Sequence, residues 1–373
     1  MIERMFTALL ARGHCLIEGV PGVAKTLAVE TVARVVGGSF SRIQFTPDLV
    51  PADVVGTRIY RQGAEKFDVE LGPVFANFLL ADEINRAPAK VQSALLEVMA
   101  EQQVSIGGET HEVPAPFLVM ATQNPIEQEG VYPLPEAQRD RFLFKVLVGY
   151  PTDVEEREIV YRMGVSPPEP TAIFTPRDLL RLQQTADEVF VHNALVDYAV
   201  RLVFATREPA AHGLNDVAPL VQYGASPRAS LGLVRASRAI ALLRGRDYVL
   251  PQDLQDVAPD ILRHRLVLSY DALADGVPAE HVVSRVLATV PPPSVAPRQN
   301  VRGQAGAQGP AQRPAQGQQA RSNSARAAQP VKAVAVSPQT QPSSGAGSGA
   351  AGAGGQPPSG ESWSGGPGNG RTA

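Results

Sequence analysis

The chain of 373 residues carries a single cysteine, Cys15, so it can close no internal disulfide and offers no thiolate set for a structural zinc. Its six histidines, His14, His111, His192, His212, His264 and His281, show none of the close spacings by which imidazoles share a metal. A G-x-S-x-G nucleophile elbow is absent. No run of about 18 apolar residues occurs, which excludes a spanning helix of the usual kind. The short apolar stretch at residues 5–11 is cut off by Arg12-Gly13 without a cleavage pattern, so it reads as one face of an amphipathic helix rather than a signal core. With one buried-type thiol and no export signal, the expected compartment is cytoplasmic. Cys15 itself reads as a small core residue.

What is present is a large apolar fraction, 44%, enough for a substantial core. The formal charge of -3 is unevenly placed: +6 after residue 290 and -9 before it. An acidic body argues against nucleic acid as the main partner. Residues 1–150 alternate strand-like and helix-like segments, the pattern of a parallel sheet with helices on both faces. The expected strands lie at 14–18, 40–45, 77–81, 117–121 and 142–148, with helices at 27–36 and after Pro88. Two hairpins interrupt them, at 58–71 around Gln62-Gly63 and at 103–113 around Gly107-Gly108. Residues 151–290 show only helical patterning, including 176–188, 193–206, 227–244 and 251–266, and are expected to form a small all-α domain. Residues 291–373 are Pro, Gly, Ala, Gln and Ser with almost no large apolar side chain; such a tail buries too little surface to offset chain entropy and is expected to be disordered.

The chemistry concentrates at the ends of the first strands. Gly19-Val20-Pro21-Gly22-Val23-Ala24-Lys25-Thr26 nearly matches G-x-x-x-x-G-K-[ST], and Leu27 follows it into the helix. Small residues let backbone N–H groups close around phosphates, and the helix N-terminus adds partial positive charge. Lys25 then supplies a full charge to the phosphates and the Thr26 hydroxyl a ligand for Mg²⁺. Ala24 stands where glycine is usual. The apolar strand Phe78-Leu79-Leu80-Ala81 ends in Asp82-Glu83, two carboxylates suited to different work. Asp82 would orient Mg²⁺ and Glu83 would polarise the attacking water; a helix cap is the alternative for this pair. A third strand ends in Ala121-Thr122-Gln123-Asn124-Pro125, where Asn124 is placed to hold the water or sense the γ phosphate, unless it serves only the turn that Asn-Pro favours.

These segments, with Ile84-Asn85-Arg86-Ala87-Pro88, Gln92-Ser93-Ala94-Leu95-Leu96-Glu97, Tyr132-Pro133-Leu134-Pro135-Glu136-Ala137-Gln138 and Gly224-Ala225-Ser226-Pro227-Arg228-Ala229, resemble the MoxR group of AAA+ ATPases over residues 2–291. The resemblance implies an AAA+ P-loop core with a helical lid, ATP and Mg²⁺ as cofactors, and a homo-oligomeric, hexameric ring that remodels a protein client with a von Willebrand factor A domain protein as partner. It implies that Asn124 is the first sensor, that Arg141 is a finger reaching a neighbour's γ phosphate with Arg139 as competitor, and that Arg228 is the second sensor on the lid. An ion pair with Asp140 or Glu136 is the alternative for Arg141. It also implies that the hairpins face a central pore. The family's Val-Gly-Gln-type segment ahead of the first helix does not precede Ile2 here, so adenine recognition is where the sequence departs from the pattern. A nucleic-acid motor or loader, and a nucleotide-gated scaffold with little turnover, are the other functional classes that share these motifs.

Overall fold

The computed structural model describes residues 1–20, 22–124, 131–164 and 169–294, which all fall in one compact unit. The chain opens with α1 (Ile2–Leu10) and β1 (Cys15–Gly19), followed by α2 (Lys25–Val36) and β2 (Phe40–Gln44). Next come α3 (Pro51–Val55), the hairpin β3 (Gly56–Arg61) and β4 (Lys66–Leu71), and β5 (Phe78–Asp82). Helix α4 (Ala89–Glu101) leads into a second hairpin, β6 (Gln103–Ile106) and β7 (Glu109–Glu112), and then β8 (Leu118–Gln123), α5 (Glu136–Arg139) and β9 (Phe144–Val148).

The five core strands run parallel in the order β2-β5-β8-β1-β9. Their side chains split by the strand's period of two. Cys15, Ile17, Phe78, Leu80, Leu118 and Met120 enter one hydrophobic core, while Leu16, Leu79, Ala81, Val119 and Ala121 enter the other. Both faces are covered, which is why these strands read as near-continuous apolar runs. The second core is closed by Val54 of α3, by α4 through Val91 and Leu95, and by Val104 and Ile106 of the second hairpin. Where that core meets β1, the buried His14 accepts a hydrogen bond at Nδ1 from the Val119 N–H (3.0 Å). Its Nε2 lies 3.3 Å from the Met99 carbonyl. Burial pulls its pKa down to about 4, so the ring is neutral.

Residues after β9 form α6 (Asp153–Met163), α7 (Pro176–Glu188), α8 (Asn193–Arg207), β10 (Val221–Tyr223), α9 (Pro227–Leu243), α10 (Pro251–Leu262), β11 (Val267–Leu268), α11 (Tyr270–Ala274) and α12 (Ala279–Thr289). Capping chemistry starts several of them: Thr175 accepts from the Asp178 N–H with Pro176 at the first position of α7, and Ser226 accepts from the Arg228 N–H to open α9. The first core runs without a break from the sheet through α1 into α7–α10 and α12. Arg4 of α1 fixes this contact by an ion pair to Asp260 of α10 at 2.6 Å.

Three expectations need correction here. The lid is helical but not all-α, because β10 and β11 pair antiparallel in a two-stranded ribbon and Phe190 bridges to Tyr248. Strands of two or three residues are too short to show an alternating pattern. Helix α2 begins at Lys25 rather than Leu27, and α10 stops at Leu262 rather than 266, releasing Arg265 from the helix. The tail at 295–373 lies outside the described residues. Among the described residues, no helix is long and apolar enough to cross a membrane.

Candidate active site

The parallel sheet brings three of the sequence motifs to one edge. β8 lies between β5 and β1, so the ends of the strands carrying Asp82, Asn124 and the glycine-rich loop stand side by side. At Gly19 a side chain is impossible, since a Cβ would lie 2.3 Å from the Val148 carbonyl oxygen. Gly22 has φ +80 and open space around its missing Cβ, leaving the inside of the loop free. Ala24 keeps the left-handed conformation expected of a glycine, φ 55 and ψ 28, and from there α2 begins. Pro21 lies outside the described residues.

Lys25 Nζ donates to the Gly19 carbonyl at 2.8 Å, which folds the side chain back along its own loop. Desolvation lowers the Lys25 pKa, opposed by the negative charges of Asp82, Glu83 and Glu18. One oxygen of Asp82 accepts from the Thr122 hydroxyl at 2.5 Å, and the other from Arg42 at 2.7 Å. The Thr122 oxygen also accepts from the Glu83 N–H at 2.8 Å, so one hydroxyl aligns both acids. Glu83 itself is held in the left-handed region (φ 57), with its carboxylate bound by Gln44 at 2.8 Å and Arg86 at 3.0 Å. Thr122, Arg42, Gln44 and Arg86 had no assigned role from the sequence. Thr122 was visible as a polar residue at a strand tip, but its partners depend on strand order, which no local pattern reveals.

Gly22, Val23, Ala24, Lys25, Thr26, Leu27, Asp82, Glu83, Thr122 and Asn124 line one cavity of about 400 Å³. Gly19 contributes its carbonyl to Lys25, and Val20 follows β1 without lining the cavity. The residues fit a magnesium-bound triphosphate. The loop leaves room at Gly22, a lysine and a helix N-terminus meet negative charge, and a hydroxyl with one carboxylate suits a hard cation that keeps phosphate oxygens and water as its other ligands. Among the described residues, no cluster of three or more His, Cys, Asp or Glu able to hold a metal occurs.

The profile described as "ATPase family associated with various cellular activities (AAA)" matches residues 14–144, and an AAA lid domain profile matches 214–286. Chaperone MoxR1 of Mycobacterium tuberculosis is 71% identical over 295 residues, covering 79% of this chain and 78% of that protein. Protein MoxR of Paracoccus denitrificans is 34% identical over 315 residues, with 79% and 91% covered. The chain belongs to the MoxR family of AAA+ ATPases. A Cytophaga hutchinsonii protein of known structure superposes with a TM-score of 0.75 at 48% identity, over 79% of this chain and 90% of the other. ATP hydrolysis is therefore the reaction of this MoxR-family chain.

The arginines of the MoxR motifs do not join that cavity. Arg139 is paired with Glu136 at 3.3 Å and lines a neighbouring cleft with Asn124, Glu18 and Lys145. Arg141 points the other way, into a separate cavity of about 330 Å³ that it shares with Arg12, Arg228, Arg235, Arg265 and Asp140. Arg141 forms no ion pair with Asp140 or Glu136; it donates to the Leu96 carbonyl instead. Arg228, expected at this chain's own nucleotide, is likewise absent from the lining of the loop's cavity and pairs with Asp140 at 3.3 Å. The reason is the packing of α9, whose first turn is held to Asp140 by Ser226 as well.

Proposed function

We propose that this MoxR-family ATPase binds MgATP in the cavity between the glycine-rich loop and the Asp82-Glu83 strand end, and couples its hydrolysis to chaperone-like remodelling of a protein client. The observation that carries the reading is the convergence of Lys25, Asp82, Glu83 and Asn124 on one cavity. In the proposed division of labour, the loop from Gly19 to Thr26, with Leu27 behind it, receives the phosphates. Thr26 and Asp82 would hold Mg²⁺, which when bound would supply positive charge to offset that of the β and γ phosphate oxygens. Lys25 leaves the Gly19 carbonyl to meet those oxygens. Asn124 holds the water, and Glu83 accepts its proton as the water oxygen bonds to the γ phosphorus and the bond from that phosphorus to the β–γ bridging oxygen breaks, so that ADP leaves with the bridging oxygen and inorganic phosphate is formed. Arg141 and Arg228, lying apart from this cavity on a basic surface, act on the nucleotide of an adjacent copy in a hexameric ring, where arginine stabilises charge on the transferring phosphoryl group.

The same reading divides the chain into a nucleotide core at 1–150, a lid at 151–290 and a tail at 291–373, working in the cytoplasm. The name of one relative, Chaperone MoxR1, supports a chaperone role. A von Willebrand factor A domain protein is the proposed partner, and the two hairpins the proposed contact with the client. Glu83→Gln is expected to keep ATP binding while turnover falls by about 10²-fold or more, the usual worth of a general base. Lys25→Ala is expected to lose binding itself. Unchanged turnover by Glu83→Gln, followed as phosphate release, would remove the assignment of the base.

A further inference from the structure

Asp140 sits between the two arginines that face different cavities, and its carboxylate is gripped by the lid. Ser226 Oγ lies 2.9 Å from each of its oxygens, Arg228 donates at 3.3 Å and Arg265 Nε at 2.8 Å. Arg265 belongs to the turn after α10 and its side chain is 3% exposed. Its guanidinium also donates to the backbone carbonyls of Asp140 at 3.2 Å, Phe142 at 2.6 Å and Leu143 at 3.1 Å. One planar fork therefore holds the carbonyls on both sides of Arg141, a task that the five fixed donors of arginine can perform and the single ammonium of lysine cannot. The lid thus fixes this segment at two levels: Ser226, the cap of α9, holds the Asp140 carboxylate, and Arg265, in the turn after α10, holds the same carboxylate and the backbone of 140–143. Net stability gives little reason for a buried ion pair here, since an apolar replacement of similar volume is often as stable.

We propose that Asp140 and Arg265 are a positioning pair that transmits the placement of the lid to Arg141, and so sets how this arginine meets the nucleotide of an adjacent copy. The inference rests on the reading of Arg141 as a group that acts in trans. The buried Arg265 guanidinium is taken up by Asp140 and backbone carbonyls, and both residues line the cavity that Arg141 shares while neither lines that of the glycine-rich loop. Their effect is exerted on a neighbour's reaction and not on the chain's own binding site, which separates this role from plain structural support.

The test uses the full chain carrying Asp140→Asn, with Arg265→Lys as an independent second variant and Arg141→Ala as comparator. Each variant is assayed for binding of a fluorescent ATP analogue, for phosphate release, and for phosphate release after mixing with Glu83→Gln chains. Asp140→Asn and Arg265→Lys are expected to bind the analogue as the unaltered chain does. Their turnover alone should fall about 10²-fold, the scale of a misplacement near 1 Å. Mixing should restore turnover, because the Glu83→Gln copy supplies a correctly held Arg141 to an intact loop next to it. Turnover within about twofold of normal in both variants, with Arg141→Ala inactive, overturns the pairing alone. Loss of turnover that mixing fails to restore, in chains that still bind the analogue, also overturns it. If Arg141→Ala itself turns over normally, the trans reading fails first and the pairing with it.

Discussion

At the scale of single residues, Ala24 is the most informative departure. Its backbone keeps the left-handed geometry that a phosphate loop requires, φ 55 and ψ 28, without the glycine that makes this geometry free of strain. A Cβ in that region costs about 1–2 kcal/mol. Replacing it with glycine removes that cost but loosens the unfolded chain by roughly 0.4–1 kcal/mol. Ala24→Gly should therefore leave stability unchanged or raise it by up to about 1.6 kcal/mol, with ATP binding retained. Ala24→Val, β-branched where branching is least tolerated, should lower stability by at least about 1 kcal/mol. Thermal unfolding of the two variants side by side decides the matter: a valine variant as stable as the parent would show that the loop does not need this conformation. Glu83 presents the same geometry at the other carboxylate, φ 57, and there Thr122, Gln44 and Arg86 hold the residue in place.

At the scale of elements, the hairpin β6–β7 shows what local sequence can and cannot specify. Both turn residues have positive φ, Gly107 at 60 and Gly108 at 91, as a tight two-residue turn demands. Nothing lies within 4 Å of a Cβ built on Gly108, so a substitution there meets strain without collision. Gly108→Val should cost about 1–2 kcal/mol, speed hydrogen exchange across residues 103–112 and leave ATP binding intact. Exchange protection unaltered in that segment would mean that the turn is not what holds the two strands. This hairpin was legible because its glycines act on their own neighbours. The core strands were legible for a related reason: burial on both faces prints a continuous apolar run. The β10–β11 ribbon was not, because Val221 and Leu268 are brought together by the packing of helices between them. The paired acids and the lysine could be found from spacing, whereas Thr122 and Arg42 acquire their contacts with Asp82 from the adjacency of β5 to β8 and to β2. The location of Arg228 was likewise invisible, since it depends on how α9 docks against Asp140.

At the scale of the whole molecule, one chain presents two cavities of opposite character that share no lining residue. The first combines the phosphate loop with Asp82 and Glu83; the second gathers Arg12, Arg141, Arg228, Arg235 and Arg265 around a single acid, Asp140. In the proposed reading the base and the nucleotide loop lie in the first cavity, and Arg141 and Arg228, which act on the transferring phosphoryl group of an adjacent copy, line the second. If the second cavity serves the first only across a subunit boundary, the rate per chain has to depend on assembly, because an arginine supplied in trans is worth roughly 10³–10⁵ in turnover. Phosphate release per chain should then fall steeply on dilution through the concentration at which light scattering reports dissociation, while binding of a fluorescent ATP analogue persists in the dissociated chain. Arg141→Ala should be slow at every concentration and show no such dependence. A constant rate per chain across about a hundredfold dilution, down to the dissociated species, would require this chain's own residues to complete the site; Arg139, which shares a cleft with Asn124, and Arg42 and Arg86, which bind Asp82 and Glu83, are the arginines nearest to it.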